Sequence, residues 1–386
     1  MKHCSAFAGF RLKGLMIPVL CLSLLTCSNQ TEKKDQVDEV KEATLKDAFK
    51  DKFYIGTALN LNQIFGRDTQ AVGVVKKHFN SIVAENCMKS MYLQPKEGEF
   101  FFDEADKFVD FGEENDMFII GHCLIWHSQA PAWFFTDEQG KDVSREVMIE
   151  RMRNHITTIV TRYKGRINGW DVVNEAILDD GSWRDSKFYQ IIGEDFLPLA
   201  FEFAHAADPD AELYYNDYNE WHEGKRRTIV KMIKSFQEKG IRIDAIGMQG
   251  HLGMEYPGIE EYQASINDYT STGVKVMITE FDMSALPSPR QNVGANVADV
   301  DAYRREVDPY TAELPGSVAT AWTQRMNDYF TLFLNNHDKI SRVTMWGVSD
   351  ATSWKNNFPM KGRTDYPLLF DRNHKAKPIV EILINK

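Results

Sequence analysis

The stretch that decides the fold is GWDVVNE, residues 169–175, a β-branched apolar run that also carries Asp171, Asn174 and Glu175. Apolar side chains on both faces are typical of a parallel strand that is covered by helices. Because an unpaired carboxylate is costly in such an interior, Glu175 is expected where the strand reaches water. Two interpretations remain open at this point. Glu175 is either an ordinary strand end or one of two acids that act together.

The same strand pattern recurs along the chain, with segments of helical period between the strands. Further β-rich runs occur at 53–59, 80–86, 117–126, 212–217, 245–251, 275–282 and 341–350. The best helical pattern is 144–165, in which Ser144 is placed to cap the start and Gly165 to end the helix. Its apolar stripe consists of Met148, Met152, Ile156, Ile159 and Tyr163.

Eight strand–helix units predict an α/β protein whose single domain is a (β/α)8 TIM barrel. The residues of 225–240 repeat the helical pattern, with Gly240 as the stop. An open, doubly wound sheet is the structural alternative. Such a sheet usually has a glycine-rich phosphate loop after its first strand, and no such loop occurs here. The barrel is therefore the preferred interpretation.

The N-terminus reads as a targeting segment. Residues 1–26 are predicted to be a signal peptide, because basic residues precede an apolar run too short for a permanent membrane helix. The LLTC sequence that ends at Cys27 resembles a bacterial lipoprotein processing site, so Cys27 is a candidate lipidation site. Residues 28–44 are predicted to be a polar linker, and 45–386 the folded domain. We expect an exported lipoprotein, periplasmic or at the cell surface, with ordinary secretion as the alternative.

Composition narrows the possible partners. The 386-residue chain carries a formal charge of −11, which argues against nucleic acid or an anionic membrane as the main partner. Aromatic residues make up 12% of the chain, which suits a neutral, polar, ring-shaped ligand. No nucleotide-binding or metal-binding motif occurs, so no cofactor or metal is expected. Cys87 and Cys123 are expected to be buried thiols, although one disulfide is possible, and the protein is expected to be a monomer.

Polar or aromatic residues end seven of the eight strands, where a barrel of this kind builds its active site. They are Glu85, Asn86, Lys89, His122, Trp126, His127, Gln129, Asn174, Glu175, Asn216, Asp217, Tyr218, Asn219, Gln249, His251, Glu280, Asp282, Trp346 and Asp350. Glu280, in VMITEFD, is the second acid, and strands four and seven face each other across the barrel mouth. Two carboxylates facing over a polar cleft can cleave a glycosidic bond.

The neighbours of the two acids suggest their roles. His251 and Asp282 are expected to keep Glu280 charged, whereas Glu175, expected beside Trp170 and apolar strand residues, is the better proton donor. The separation of the carboxylates does not follow from these residues, so retention and inversion of configuration both remain open. Simpler interpretations also exist. Trp126, Trp346 and Trp354 could pack the barrel top, and His122 and His127 could be core histidines.

From about residue 45 to the C-terminus, the sequence resembles the family-ten glycoside hydrolases, which are mostly endo-β-1,4-xylanases. The motifs that carry the resemblance are AEN (84–86), GHCLIWHSQAPAW (121–133), WDVVNEAI (170–177), YYNDYN (214–219), GMQGHL (247–252), ITEFDM (278–283), WGVSDATSW (346–354) and PLLFDRNHKAKP (367–378). The resemblance implies retaining hydrolysis of internal β-1,4 bonds in xylan and xylo-oligosaccharides. Glu175 would be the acid/base and Glu280 the nucleophile.

The resemblance also implies supporting roles. Asn174 would bind the sugar 2-hydroxyl, and His251, oriented by Asp282, would contact the nucleophile. Implied sugar-binding residues are Glu85, Asn86, Lys89, His122, Trp126, Gln129, Tyr218, Asn219, Gln249, Trp346 and Trp354. A wall of Trp354 and Gln129 is expected to admit xylose and crowd glucose, and the long connection 283–318 is expected to border the cleft.

Two alternative functions exist. A related barrel acting on β-glucans such as cellulose is the alternative enzyme. A non-catalytic glycan-binding lipoprotein is the alternative outside enzymes, and the presence of both Glu175 and Glu280 argues against it.

Overall fold

The computed structural model describes residues 42–287 and 303–386. The predicted signal peptide 1–26, the candidate lipidation site Cys27 and linker residues 28–41 lie outside the described residues. The same holds for 288–302 of the long connection. Residues Ala43–Lys386 form one compact unit.

Eight parallel strands form the centre of this unit. They are β1 (Tyr54–Leu59), β2 (Ser81–Ala84), β3 (Phe118–Trp126), β4 (Gly169–Asn174), β5 (Glu212–Asp217), β6 (Ala245–Met248), β7 (Lys275–Met283) and β8 (Ile340–Met345). Each strand pairs with the next along the chain, and β8 pairs with β1, so the sheet is closed. A two-residue strand, His251–Leu252, continues β6 and pairs with the end of β7. The predicted (β/α)8 barrel is confirmed.

Helices surround the barrel and connect its strands. They are α1 (Leu45–Ala48), α2 (Leu61–Ile64), α3 (Thr69–His78), α4 (Ser90–Leu93), α5 (Asp103–Glu114), α6 (Arg145–Arg162), α7 (Lys187–Ile192), α8 (Phe196–Ala207), α9 (Glu223–Glu238), α10 (Ile259–Thr270), α11 (Gly316–Asn335) and α12 (Pro378–Ile384). Residues 303–307 are also helical. Short 3₁₀ helices occupy Ala132–Phe134, Asp350–Thr352 and Trp354–Asn357.

Helix α6 shows how the sequence dictates an element. The Ser144 hydroxyl accepts a hydrogen bond from the Val147 main-chain N–H, which satisfies one of the free donors of the first turn. The predicted stripe, from Met148 to Tyr163, is fully buried against the barrel. Gly165 has a φ of +73°, a left-handed conformation that suits glycine and takes the chain out of the helix.

The hydrophobic core has two parts. The larger part lies between strands and helices, and a smaller cluster, which includes Ile120, Tyr214 and Met277, fills the barrel interior. Cys87 and Cys123 are both buried and unpaired, as expected for core thiols. Within 42–287 and 303–386, no helix has the length and apolarity that crossing a membrane requires.

Candidate active site

The two predicted acids sit on the backbone ladder of the barrel. The main-chain N–H of Glu175 donates to the carbonyl of Asn216 at 2.9 Å, and that of Glu280 donates to the carbonyl of Gln249 at 2.8 Å. The N–H of Gln249 in turn donates to Asp217 at 2.9 Å. Sheet hydrogen bonding therefore continues into the site residues, which gives both acids rigid support.

Both acids line one cleft of about 690 Å³ at the C-terminal mouth of the barrel. Its lining comprises Glu85, Asn86, Lys89, His122, Trp126, Asn174, Glu175, Tyr218, Asn219, Gln249, His251, Glu280, Trp346, Trp354, Lys355 and Phe358. All residues with an expected catalytic, supporting or sugar-binding role are in this lining except Gln129 and Asp282. The strand-end residues without such a role, His127, Asn216, Asp217 and Asp350, are not in it. The structure thus brings residues from seven strand ends into one site.

Glu280 is buried and closely surrounded by donors. Its Oε1 accepts a hydrogen bond from Asn216 Nδ2 at 2.8 Å, and its Oε2 lies 3.2 Å from His251 Nε2. Burial raises the pKa of Glu280, but the hydrogen bond from His251 and the nearby His122 and Lys89 outweigh it, so the net pKa is below the ordinary value. Glu280 is therefore held as a carboxylate.

His251 supplies a positive charge beside Glu280 at neutral pH. Its Nδ1 lies 3.0 Å from Asp282 Oδ1, which is fully buried behind the cleft wall. Burial lowers the pKa of His251, but Asp282 and Glu280 outweigh burial and raise it to about 9. The Trp354 indole N–H donates to the other oxygen of Asp282 at 2.7 Å. Asp282 therefore acts on the cleft through His251 and Trp354 rather than by lining it.

Glu175 has a different set of partners. Its Oε2 accepts from the Trp126 indole N–H at 2.8 Å, and its Oε1 accepts from Gln249 Nε2 at 2.9 Å. Both donors are uncharged, in contrast to the imidazolium beside Glu280. Trp170, which was expected beside Glu175, instead packs against Gly121 and Tyr163 in the layer between strands and helices. The indole that contacts Glu175 is that of Trp126.

Side-chain amides bridge the space between the two acids. Asn174 Oδ1 accepts from Asn216 Nδ2 at 2.9 Å and from Gln249 Nε2 at 3.3 Å. With its amide turned by 180°, Asn174 would instead donate to the Asn216 carbonyl at 3.2 Å and accept from Trp126 at 3.3 Å. In either orientation, the side chains that contact Glu175 and those that contact Glu280 form one connected network.

The remaining predicted residues occupy the cleft walls. Lys89 donates to Asn86 Oδ1 at 3.0 Å and lies 4.8 Å from the Trp126 ring centroid. Burial raises the pKa of Glu85, an effect that Lys89 partly offsets. Gln129 Nε2 donates to Asn86 Oδ1 and to the Tyr92 hydroxyl, both at 3.4 Å, and its expected place in a wall with Trp354 stays a prediction.

The histidines differ in their surroundings. His122 Nδ1 lies 2.9 Å from Asp171 Oδ2, and its ring meets Trp346 edge-on. His127 stands edge-on to Trp126, and burial lowers its pKa to about 4. His122 therefore belongs to the cleft, whereas His127 supports it from outside the lining.

Sequence reasoning missed several contributors. Asn216 was recognised as a strand-end residue but given no role, although it contacts Glu280 directly. Lys355 and Phe358 follow the WGVSDATSW motif on a short 3₁₀ segment, and Arg184 lies in the connection after β4. Lys355, Phe358 and Arg184 do not lie at strand ends, so the strand-end pattern in the sequence could not predict their place in the site.

Comparisons with known proteins find relatives that match most of the chain. The family model for glycosyl hydrolase family 10 matches residues 44–386. Endo-1,4-beta-xylanase A of Xylanibacter ruminicola is 49% identical over 343 residues, which cover 89% of this chain and 93% of that protein. An endo-1,4-beta-xylanase of Geobacillus stearothermophilus is 41% identical over 344 residues, 89% and 98% of the two chains. The solved structure of a GH10 endoxylanase from a sugarcane soil metagenome superposes with a TM-score of 0.84 at 44% identity, covering 89% of this chain and 99% of that one.

Proposed function

The chain belongs to glycosyl hydrolase family 10 and is an endo-1,4-β-xylanase, and we propose that Glu175 and Glu280 perform its chemistry as acid/base and nucleophile. The observation that carries this assignment is the difference between the partners of the two acids. Glu280 lies 3.2 Å from a cationic histidine, whereas the hydrogen bonds to Glu175 come from uncharged N–H groups. Two carboxyl groups in different environments can play opposite roles in one reaction.

In the first step, the Glu280 carboxylate attacks the anomeric carbon of the xylose unit while the bond to the glycosidic oxygen breaks. Glu175 transfers its proton to that oxygen, and the shortened chain leaves as an alcohol. The product is an ester between the sugar and Glu280. The negative charge of Glu280 is consumed in this step, so His251 and Asn216 stabilise the carboxylate before attack and after its release.

In the second step, Glu175, now a carboxylate, removes a proton from water as the water oxygen attacks the same carbon. The ester bond breaks, Glu280 regains its charge, and the proton remains on Glu175. Two displacements at one carbon retain the configuration. The active site returns to its starting protonation.

Substrate binding follows from the rest of the cleft. Trp126, Trp346 and Trp354 offer apolar ring surfaces to the C–H faces of sugars, and Lys89, Asn86 and Gln249 offer hydrogen bonds to hydroxyls. We assign Asn174 to the 2-hydroxyl at the cleavage point and Tyr218 and Asn219 to the aglycone side. The cleft lining carries no positive excess that would select a polyanion, which suits a neutral polysaccharide.

The assignment is tested by two substitutions. Glu280→Ala should abolish turnover of xylan while oligosaccharide binding stays measurable by calorimetry. Glu175→Ala should lose far more rate on xylan than on an aryl xylobioside, whose phenolate leaving group needs no proton. Equal losses on both substrates would contradict the acid role of Glu175, and an active Glu280→Ala would contradict the nucleophile.

Substrate class is tested separately. Reducing-sugar release from xylan should greatly exceed release from carboxymethylcellulose. The opposite preference would favour a β-glucan-cleaving enzyme. The products of arabinoxylan and glucuronoxylan would then define which decorations the cleft accepts.

We also propose that the protein is exported and is anchored through Cys27, and the sequence of residues 1–27 supports both proposals. We further propose that the protein acts as a monomer. Expression of the full chain with a radiolabelled fatty acid should label the wild type and leave Cys27→Ala unlabelled. A label in neither chain, with protein in the culture medium, would indicate ordinary secretion. Sedimentation of the purified domain would test the monomer.

A further inference from the structure

Arg184 connects the backbone of Glu175 to the aglycone side of the cleft. Its Nε donates to the main-chain carbonyl of Glu175 at 2.7 Å, and its Nη2 donates to the Tyr218 hydroxyl at 2.7 Å. Arg184 is half-buried and lies nine residues after Glu175, beyond the loop that follows β4. It reaches back to the acid from outside the strand-end residues that build the rest of the site.

Glu175 needs such support because of its backbone conformation. Its φ is +59°, in the left-handed region that a residue with a Cβ seldom adopts. Holding this conformation costs on the order of 1 kcal/mol or more, which the surroundings must supply. The main-chain N–H of Glu175 donates to the Asn216 carbonyl at 2.9 Å, and that of Ala176 donates to the Tyr215 hydroxyl at 3.0 Å.

The carbonyl of Glu175 completes this set of restraints. Within the described part of the chain, the Arg184 guanidinium is the side chain that donates to it. Arg184 is in addition tied to the same loop, because its own N–H donates to the carbonyl of Ala176 at 2.8 Å. Loss of the guanidinium would remove one of the two hydrogen bonds that hold this peptide unit, the other being from the Ala176 N–H to Tyr215. The unit could then tilt, and the carboxyl group of Glu175 would shift with it.

We propose that Arg184 is a positioning residue for proton transfer by Glu175 and that it couples this acid to the leaving-group side through Tyr218. This inference rests on the proposed function of Glu175. A leaving sugar that contacts the Tyr218 hydroxyl engages the same guanidinium that fixes the acid. Proton donation by Glu175 then depends on Arg184. Attack by Glu280 on the anomeric carbon of a sugar with a good leaving group does not.

The test compares two substrates that differ in their need for a proton. The variants are Arg184→Met, which removes both hydrogen bonds, and Arg184→Lys, which can restore one. Their kcat/KM is measured on a xylo-oligosaccharide and on a dinitrophenyl xylobioside. For Arg184→Met we expect a loss of about tenfold to a hundredfold on the oligosaccharide, carried mainly by kcat, because misplacing a reacting group by about 1 Å has effects of that size.

On the dinitrophenyl substrate the loss should stay below about threefold, since proton donation contributes little there. Arg184→Lys should recover part of the oligosaccharide activity. Tyr218→Phe, which keeps the ring and removes the hydroxyl, should show the same substrate dependence at smaller size, and it serves as the probe if the Arg184 variants fail to fold. Arg227→Met is the matched control, because Arg227 is exposed and forms a surface ion pair with Glu223, one helical turn away.

Each outcome decides the inference. Equal losses on both substrates, or no loss on either, would show that Arg184 has only a structural role in the loop. Either result would overturn the inference. The control Arg227→Met should leave both activities unchanged. Failure of the wild type on both substrates would instead contradict the proposed function, which keeps the two failures distinguishable.

Discussion

Replacing His251 with asparagine should move the pH dependence of the enzyme in a defined direction. His251 Nε2 lies 3.2 Å from Glu280 Oε2, and its Nδ1 lies 3.0 Å from Asp282 Oδ1. These carboxylates keep the imidazole protonated at neutral pH, and the imidazolium in turn keeps Glu280 ionised. Asparagine retains a polar side chain but removes the charge.

The size of the effect follows from the pKa of His251. The two carboxylates raise it from 6.5 to about 9 against the opposing effect of burial. That shift corresponds to about 3 kcal/mol of net interaction. Asp282 is the larger cause of this shift and Glu280 the smaller. For Glu280, an opposite charge within a few ångströms lowers the pKa of a carboxyl group by about one unit or more. The pKa of Glu280 should therefore rise by about one unit in His251→Asn.

The assay is the pH profile of kcat/KM on a dinitrophenyl xylobioside, because this substrate isolates ionisation of the nucleophile from proton donation. The acid limb should move upward by about one pH unit in His251→Asn. It should stay in place in His337→Asn, whose histidine is exposed at the end of α11. An unmoved acid limb in a folded His251→Asn protein would refute the reasoning.

The same shift predicts a stability effect with a definite sign. A group whose pKa is raised by folding stabilises the protein below its unfolded value and loses that effect as the pH rises through its folded value. His251 should thus add up to about 3 kcal/mol below pH 6.5, and this contribution should disappear by about pH 9. Urea unfolding of wild type and His251→Asn across this range measures it directly.

Three further substitutions probe the barrel. Burial raises the pKa of Glu220 to about 8, so this side chain destabilises the fold increasingly between pH 4.5 and pH 8. The melting temperature of Glu220→Gln minus that of the wild type should therefore be larger at pH 8 than at pH 5. Lys225→Met leaves Asp217 as a fully buried charge without its partner at 2.8 Å and should cost about 3–5 kcal/mol in urea unfolding, whereas Arg227→Met should cost little. Gly121→Ala places a methyl group against the Trp170 ring, and calorimetry should show a loss of about 1–3 kcal/mol.

The fold and most of the site could be predicted because both follow the strands. Alternation of apolar strands and amphipathic helices defined the barrel, and the residues at the strand ends gave the cleft lining. A carboxylate at the end of an apolar run, as at Glu175 and Glu280, can be recognised as a candidate site residue from the sequence alone.

The errors concern side-chain direction and long-range contacts. Trp170 is five residues before Glu175, but its position on the strand turns it toward Tyr163 and the helices, while Trp126 reaches Glu175 from the neighbouring strand. Gln129 follows the end of β3 and contacts Asn86, which lines the cleft, without being part of the lining itself. Arg184 has no periodic signal at all, because its partners are a backbone carbonyl and a hydroxyl from two different loops.

The spacing of the two acids is a property of the barrel itself. Asn174 is in register with Asn216 on the adjacent strand, and the backbone ladder continues through Gln249 to Glu280. The amides that connect the acids, Asn174, Asn216 and Gln249, thus come from the ends of three consecutive strands, whose separations are fixed by sheet hydrogen bonding. Changes in the connecting loops would alter which sugars enter the cleft, whereas a change of strand register would separate the acids and stop the reaction.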